Sequence, residues 1–202
     1  MEKILLTGFE PFEKEPINPS QELLKSFDIS KQTRDIHTLL LPVTVRDAGR
    51  IVEEAIEEIE PDYLISFGLN GKLSHIALER VALNIIDARI PDNNGEQPQD
   101  TPICENAPVA YWSTLPLRDI ERELKACGIP VKLSYSAGTY ICNFLMYTAL
   151  NFINQKDLKT KAGFIHIPFL PEQCTNHPER SSMDMSVLHK MLKVVLSSII
   201  SQ

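Results

Sequence analysis

Ile129-Pro-Val-Lys-Leu-Ser-Tyr135, Ser136-Ala-Gly-Thr-Tyr-Ile-Cys142-Asn143, Phe144-Leu-Met-Tyr-Thr-Ala-Leu150 and Gly163-Phe-Ile-His-Ile-Pro-Phe169 follow one another along the chain. The first stretch alternates like a strand, the third reads as a buried helix, and the fourth is a second, largely apolar strand. The same alternation holds upstream. Ile4-Leu-Leu-Thr7 reads as a buried strand. Asn18-Pro19 marks a helix start, with Asn at the cap and Pro at the first helical position, and the helix runs to about Phe27. Asp35 to Leu41 is a strand. Thr44 then caps a helix whose apolar residues, Val45 through Ile59, share one face above an acidic, solvated one. Asp62 to Phe67 is a strand closing at Gly68. His75 to Asn84 reads as one continuous strand, Leu117 to Ala126 as a helix, and Met183 to Ile200 as the last helix. Strands alternating with helices predict a layered α/β fold with a mostly parallel sheet, in which ligands bind beyond the carboxyl ends of strands. Gly8, Gly68, Gly138 and Pro168 fall at or near such ends.

The chain has 202 residues, which fits one domain spanning 1–202. Its 20 basic and 27 acidic residues give a net charge of −7, so nucleic-acid binding has no electrostatic support. No apolar run reaches the roughly 18 residues of a membrane span, and the start of the chain lacks a signal-peptide layout. The expectation is a cytoplasmic protein with no membrane partner. None of the four cysteines, Cys104, Cys127, Cys142 and Cys174, forms a C-x-x-C pair. No Walker loop and no G-x-G-x-x-G follows a strand, so no nucleotide cofactor is expected.

Cys142 stands at the strand-to-helix junction. There, unpaired backbone N–H groups and the positive end of the helix dipole favour thiolate over thiol. The same N–H groups can receive an oxyanion. A cysteine hydrolase also needs a base, and histidine serves best near neutral pH. Among His37, His75, His166, His177 and His189, His166 differs because it interrupts an apolar strand near its carboxyl end. On spacing alone it reads equally as a satisfied core histidine or as the base. Since one helix separates it from Cys142, their strands are expected to be neighbours. Glu79 shares an apolar strand face with Ala77, Val81 and Leu83, and a carboxylate there needs a partner. That partner is either an arginine or His166. A competing metal site would use His166 with Cys174-x-x-His177, a single pair with ligand spacing.

Thr7-Gly-Phe-Glu-Pro-Phe12, Asn18-Pro-Ser20, Glu79-Arg80-Val-Ala-Leu-Asn84, Asp87-Ala-Arg-Ile-Pro-Asp-Asn93, Ser113-Thr-Leu-Pro116, Ser136-Ala-Gly138 through Cys142-Asn143, and Gly163-Phe-Ile-His166-Ile-Pro168 with Pro171-Glu-Gln173 together resemble the type I pyroglutamyl peptidases over nearly the whole chain. The resemblance implies a three-layer α/β/α sandwich with a mostly parallel, mixed central sheet. It implies a cysteine peptidase that removes N-terminal pyroglutamate from peptides, with no metal or organic cofactor and a homotetrameric assembly. It assigns Cys142 as nucleophile, His166 as base and acid, and Glu79 as the orienting carboxylate. It places Phe9, Phe12, Asn18 and Arg89 at the substrate. Phe9 and Phe12 read as exposed loop residues. Asn18 has an alternative role as a helix cap, and Arg89 as a salt-bridge partner of Asp92. The chain departs from the family in Gly68-Leu-Asn-Gly-Lys-Leu73. Asn70 stands where the family has a small residue, and Lys72-Leu73 replaces Gly-Arg.

Overall fold

The computed structural model describes residues 2–13, 15–31 and 34–199. Among the described residues, eight strands and six α-helices follow in order, with one 3-10 turn at Ile29–Lys31 after the first helix. They are β1 (Lys3–Phe9), α1 (Pro19–Ser26), β2 (Asp35–Leu41), α2 (Val45–Ile59), β3 (Tyr63–Leu69), β4 (Ile76–Glu79), β5 (Val81–Leu83), β6 (Ala110–Trp112), α3 (Leu117–Ala126), β7 (Val131–Ser134), α4 (Ile141–Gln155), β8 (Lys161–Ile167), α5 (Pro171–Cys174) and α6 (Met185–Ser198). The last helix matches the sequence reading to within two residues, apart from Ile200, which lies outside the described residues. Six strands form one sheet in the order β2-β1-β3-β8-β4-β7, and β5 pairs with β6 separately. The first four sheet strands run parallel, whereas β4 is antiparallel to β8 and parallel to β7.

Side chains alternate across the sheet because a strand has period two. Ile4, Leu6, Ile65, Phe67, Ile165 and Ile167 pack with α1, α3 and α6 in one apolar cluster. Leu5, Phe9, Leu64, Ala162 and Phe164 pack with α2 and α4 in the other. The result is the three-layer sandwich with a mixed sheet. Each fully buried Leu or Ile contributes about 2 kcal/mol. The exposed ion pairs such as Arg50–Glu54 on α2 and Lys125–Glu121 on α3 contribute well under 1 kcal/mol. The two apolar layers, not surface charge, therefore hold the helices down.

Three local readings are corrected. The stretch from His75 to Asn84 is not one strand. At Arg80 the chain leaves the main sheet, its N–H bonding Ser134 O and its carbonyl accepting from Ser113 N. The guanidinium then lies over the Trp112 and Tyr135 rings, 5.8 and 5.4 Å from their centroids. The strands carrying the Cys142 junction and His166 are not neighbours either, because β4 lies between β7 and β8. Finally, the side chain of Thr44 does not cap α2. Asp92, from the long loop after β5, does so instead, its Oδ2 accepting from Val45 N at 2.9 Å.

Candidate active site

His166 is the sixth residue of β8 and points to the α2/α4 side, in step with Phe164. Its register partner on β3 is Gly68. On the other flank its partner is Ala77, while Glu79 stands opposite Phe164. Glu79 is thus the diagonal neighbour of His166 on the same face, within reach of a long side chain. The Glu79 carboxylate accepts from His166 through Oε1 and Nδ1, 2.8 Å apart. Both side chains are buried, at 4% and 1% exposure. Arg80 is occupied with the two aromatic rings, so the alternative pairing of Glu79 with arginine is not what the fold forms.

Cys142 lies beside the same imidazole, lining one cavity with it, and its sulfur is close enough to act on the charge of the ring. Gly68 makes this approach possible. A Cβ at that position would lie 3.0 Å from Cys142 Sγ and 2.7 Å from Phe164 Cζ. The absent side chain opposite His166 leaves the space the sulfur fills. Burial alone would push His166 down. The sulfur of Cys142 and the hydrogen-bonded carboxylate of Glu79 outweigh it and raise His166 from 6.5 to about 9.

Cys142 is the second residue of α4, where a backbone N–H has no intrahelical acceptor. At three other helix starts such groups are occupied: Asn18 caps α1, Asp184 caps α6, and Asp92 serves α2. At α4 the cap residue, Tyr140, makes no side-chain bond to the helix. Asn143 turns sideways instead. Its amide accepts from Leu83 N and donates to Leu83 O and Ile85 O, at 2.9 to 3.0 Å. This fixes the helix start against β5. Sequence reading gave Asn143 no separate role. A fully buried amide in an apolar helix was the signal, since it needs partners.

The open helix end faces a cavity of about 470 Å³. Cys142 and His166 form its floor, and Phe9, Phe12, Asn18, Arg89, Asn70 and Tyr140 are among its walls. The sequence-derived substrate residues therefore all reach it, with two changes. Phe9 is only 2% exposed because, as the last residue of β1, it packs toward Phe164, ring centroids 6.5 Å apart. Phe12 stays partly open and pairs with Tyr140 at 5.8 Å. Asn18 is a cap: its Oδ1 accepts from Ser20 N and Oγ, and its Nδ2 donates to Glu10 O. Arg89 is exposed at the rim and makes no pair with Asp92, whose two oxygens bind Val45 N, Asn94 N and Glu96 N. Tyr140 stays a phenol. Burial, helped by the charges of Asp92, Glu13 and Cys142, pushes it up to about 12.

The residues of the competing metal reading do not assemble. His177 bonds Glu179 on the surface, Nδ1 of His166 is taken by Glu79, and among the described residues no group of three or more His, Cys, Asp and Glu is placed to hold a metal ion.

This arrangement of cysteine, histidine and carboxylate at an open helix end occurs in a chain whose residues 2–202 match the family model for pyroglutamyl peptidase. The chain belongs to the pyroglutamyl peptidase family. The pyrrolidone-carboxylate peptidase of Bacillus thuringiensis strain Al Hakam is 43% identical over 199 residues, covering 97% of this chain and 92% of that protein. The crystal structure of Bacillus amyloliquefaciens pyroglutamyl peptidase I superposes with a TM-score of 0.94 at 36% identity, over 100% of this chain and 98% of the other. The pyrrolidone carboxyl peptidase from Thermococcus litoralis gives 0.92 at 42% identity, over 99% and 94%.

Proposed function

We propose that this protein is a cysteine peptidase that hydrolyses the amide bond after an N-terminal pyroglutamyl residue, with Cys142 as nucleophile, His166 as acid and base, and Glu79 as its orienting partner. The observation that carries this reading is the clustering of the Cys142 sulfur with the hydrogen-bonded His166–Glu79 pair at the start of α4, whose cap residue makes no side-chain bond. Family membership supports the substrate class. Cys142 and His166 act as a thiolate–imidazolium pair. The sulfur attacks the pyroglutamyl carbonyl carbon, and the carbonyl oxygen gains the electron pair and accepts from Cys142 N–H. His166 gives its proton to the leaving amine as the C–N bond breaks. Water then attacks the thioester, His166 takes its proton, and the C–S bond breaks to release pyroglutamate. No step calls for a metal or organic cofactor.

Phe9, Phe12 and Tyr140 make an apolar slot for a small, flat, uncharged ring. Asn18 holds the loop that carries the phenylalanines, through the Glu10 carbonyl. Arg89 works at the rim. An unblocked, charged N-terminus loses water against these rings; of the two carboxylates that also line the cavity, Glu13 and Glu15, the second is already paired with Arg180. The family's homotetrameric assembly and cytoplasmic setting are part of the same proposal. The assembly is supported by Val109, Trp112 and Tyr135, which are 85%, 64% and 60% exposed around β5 and β6. A monomer in sedimentation would remove it.

Turnover of a pyroglutamyl coumarin amide tests the activity, and its pH profile tests the relay. His166 is raised, so the imidazolium persists through neutral pH and is lost as pH rises through about 9. The stabilisation from its pairing is fully present below 6.5 and fades over the same window. We expect kcat/KM to fall on an alkaline limb near pH 9. Glu79→Gln should lower turnover about tenfold and move that limb to lower pH, because an amide still orients the ring but no longer stabilises its charge. A limb that does not move in the variant removes Glu79 as the partner of His166.

A further inference from the structure

We propose that Asn70 reads the lactam carbonyl of the pyroglutamyl ring, its Nδ2 acting as the donor that distinguishes this ring from others of the same size; the assignment rests on the peptidase reading above. Gly68 and Asn70 are two residues apart at the end of β3. The ladder continues one bond past the strand, Asn70 N donating to Ile167 O at 3.0 Å. Alternation therefore turns Asn70 to the side Gly68 faces, and the Cβ direction of Gly68 meets Cys142 Sγ. Two extended residues advance about 7 Å, which spaces the two positions along this face, and Asn70 lines the same cavity as Cys142. By standard bond lengths, the scissile carbon and the lactam oxygen of a pyroglutamyl group are about 5 Å apart. A ring whose carbonyl touches the sulfur presents its lactam oxygen to Asn70.

The amide is held and only half used. Its Oδ1 accepts from Lys72 N at 3.2 Å, and no described residue accepts from Nδ2. The turn is braced by Leu73 N bonding Asn70 O at 3.1 Å. Gly71 lies so close to Phe169 that any Cβ would enter the ring, and Arg180 covers that ring, 4.6 Å from its centroid. Two other side-chain donors on the wall are committed, while Arg89 and Lys72 are exposed at its rim. Asn18 Nδ2 bonds Glu10 O, Arg180 bonds Glu15 at 2.7 Å, and the Tyr140 hydroxyl is shut away from solvent. A donor that loses water to a ring without an acceptor penalises that ring. The departure of this chain from its family at position 70 thus places a polar reader where the family carries a small residue.

The test compares a pyroglutamyl coumarin amide with a cyclopentanecarbonyl coumarin amide, which has the same ring size and no lactam. Asn70→Asp keeps the acceptor for Lys72 N–H and removes the donor, and Asn70→Leu removes both. The alkylation rate of Cys142 by iodoacetamide reports whether the site is intact. We expect both variants to lose about 30-fold in kcat/KM on the pyroglutamyl substrate, chiefly through KM. The cyclopentane substrate and the alkylation rate should stay within about threefold of wild type. Equal losses on both substrates, or none on either, overturn the assignment. Wild type that alkylates rapidly yet cleaves neither substrate overturns the peptidase reading, and the assignment with it.

Discussion

Cys142→Ser is expected to lose kcat/KM on a pyroglutamyl coumarin amide by about 10⁴-fold or more while the protein folds as before. A hydroxyl is far less acidic than a thiol, so it cannot share a proton with His166 in the same way. The sulfur is also one of the two groups that raise His166, so its loss removes the charge pairing that the cysteine shares with the ring. The smaller oxygen fits the gap left by Gly68, so packing changes little. Circular dichroism and the melting temperature should match wild type. Residual activity within about tenfold of wild type would remove Cys142 as the nucleophile.

His166→Ala is expected to cost a similar factor in turnover, about 10⁴-fold, and to destabilise the fold as well. The imidazole fills a site that is only 3% exposed. Its removal leaves a void and strands the buried Glu79 carboxylate without its partner, at about 3–5 kcal/mol by analogy with broken buried pairs. His166→Asn is the companion variant. It returns some volume and a donor on the Glu79 side, so it should recover part of the stability and none of the turnover. Both variants should also slow alkylation of Cys142, because the positive charge beside the sulfur is gone. The Cys142→Ser/His166→Ala pair should cost little more than either change alone, as for groups that act as one unit. Additive losses would separate the two residues mechanistically.

Much of this architecture is legible in the sequence because period-two and helical apolar patterns survive wherever both faces of an element are buried. β1, β3 and β8 are such strands, and α2 shows its stripe plainly. The patterns fail where the chain changes partner without changing composition. Glu79 and Val81 belong to one apolar alternation, yet the sheet ends between them, because Arg80 bonds Ser134 and Ser113 and its guanidinium goes to Trp112 and Tyr135. No local signal announces that switch. Strand order is equally silent: β4 separates β7 from β8, and only the antiparallel register brings Glu79 beside His166. Cys142, His166 and Glu79 could still be singled out one by one, because each is a chemically demanding residue in an apolar setting. The roles of Gly68 and Asp92 could not be read. The value of Gly68 is the side chain it lacks, and Asp92 caps a helix that begins 47 residues earlier.

The position of β8 also governs when the molecule becomes competent. It lies in the middle of the sheet, between β3 and β4, yet among the described residues it follows every other strand in the sequence. A nascent chain that ends before Lys161 has neither the imidazole nor a link between its parallel and antiparallel halves. The proposed nucleophile is therefore synthesised before its proposed partner, and the two meet only once β8 has joined the sheet.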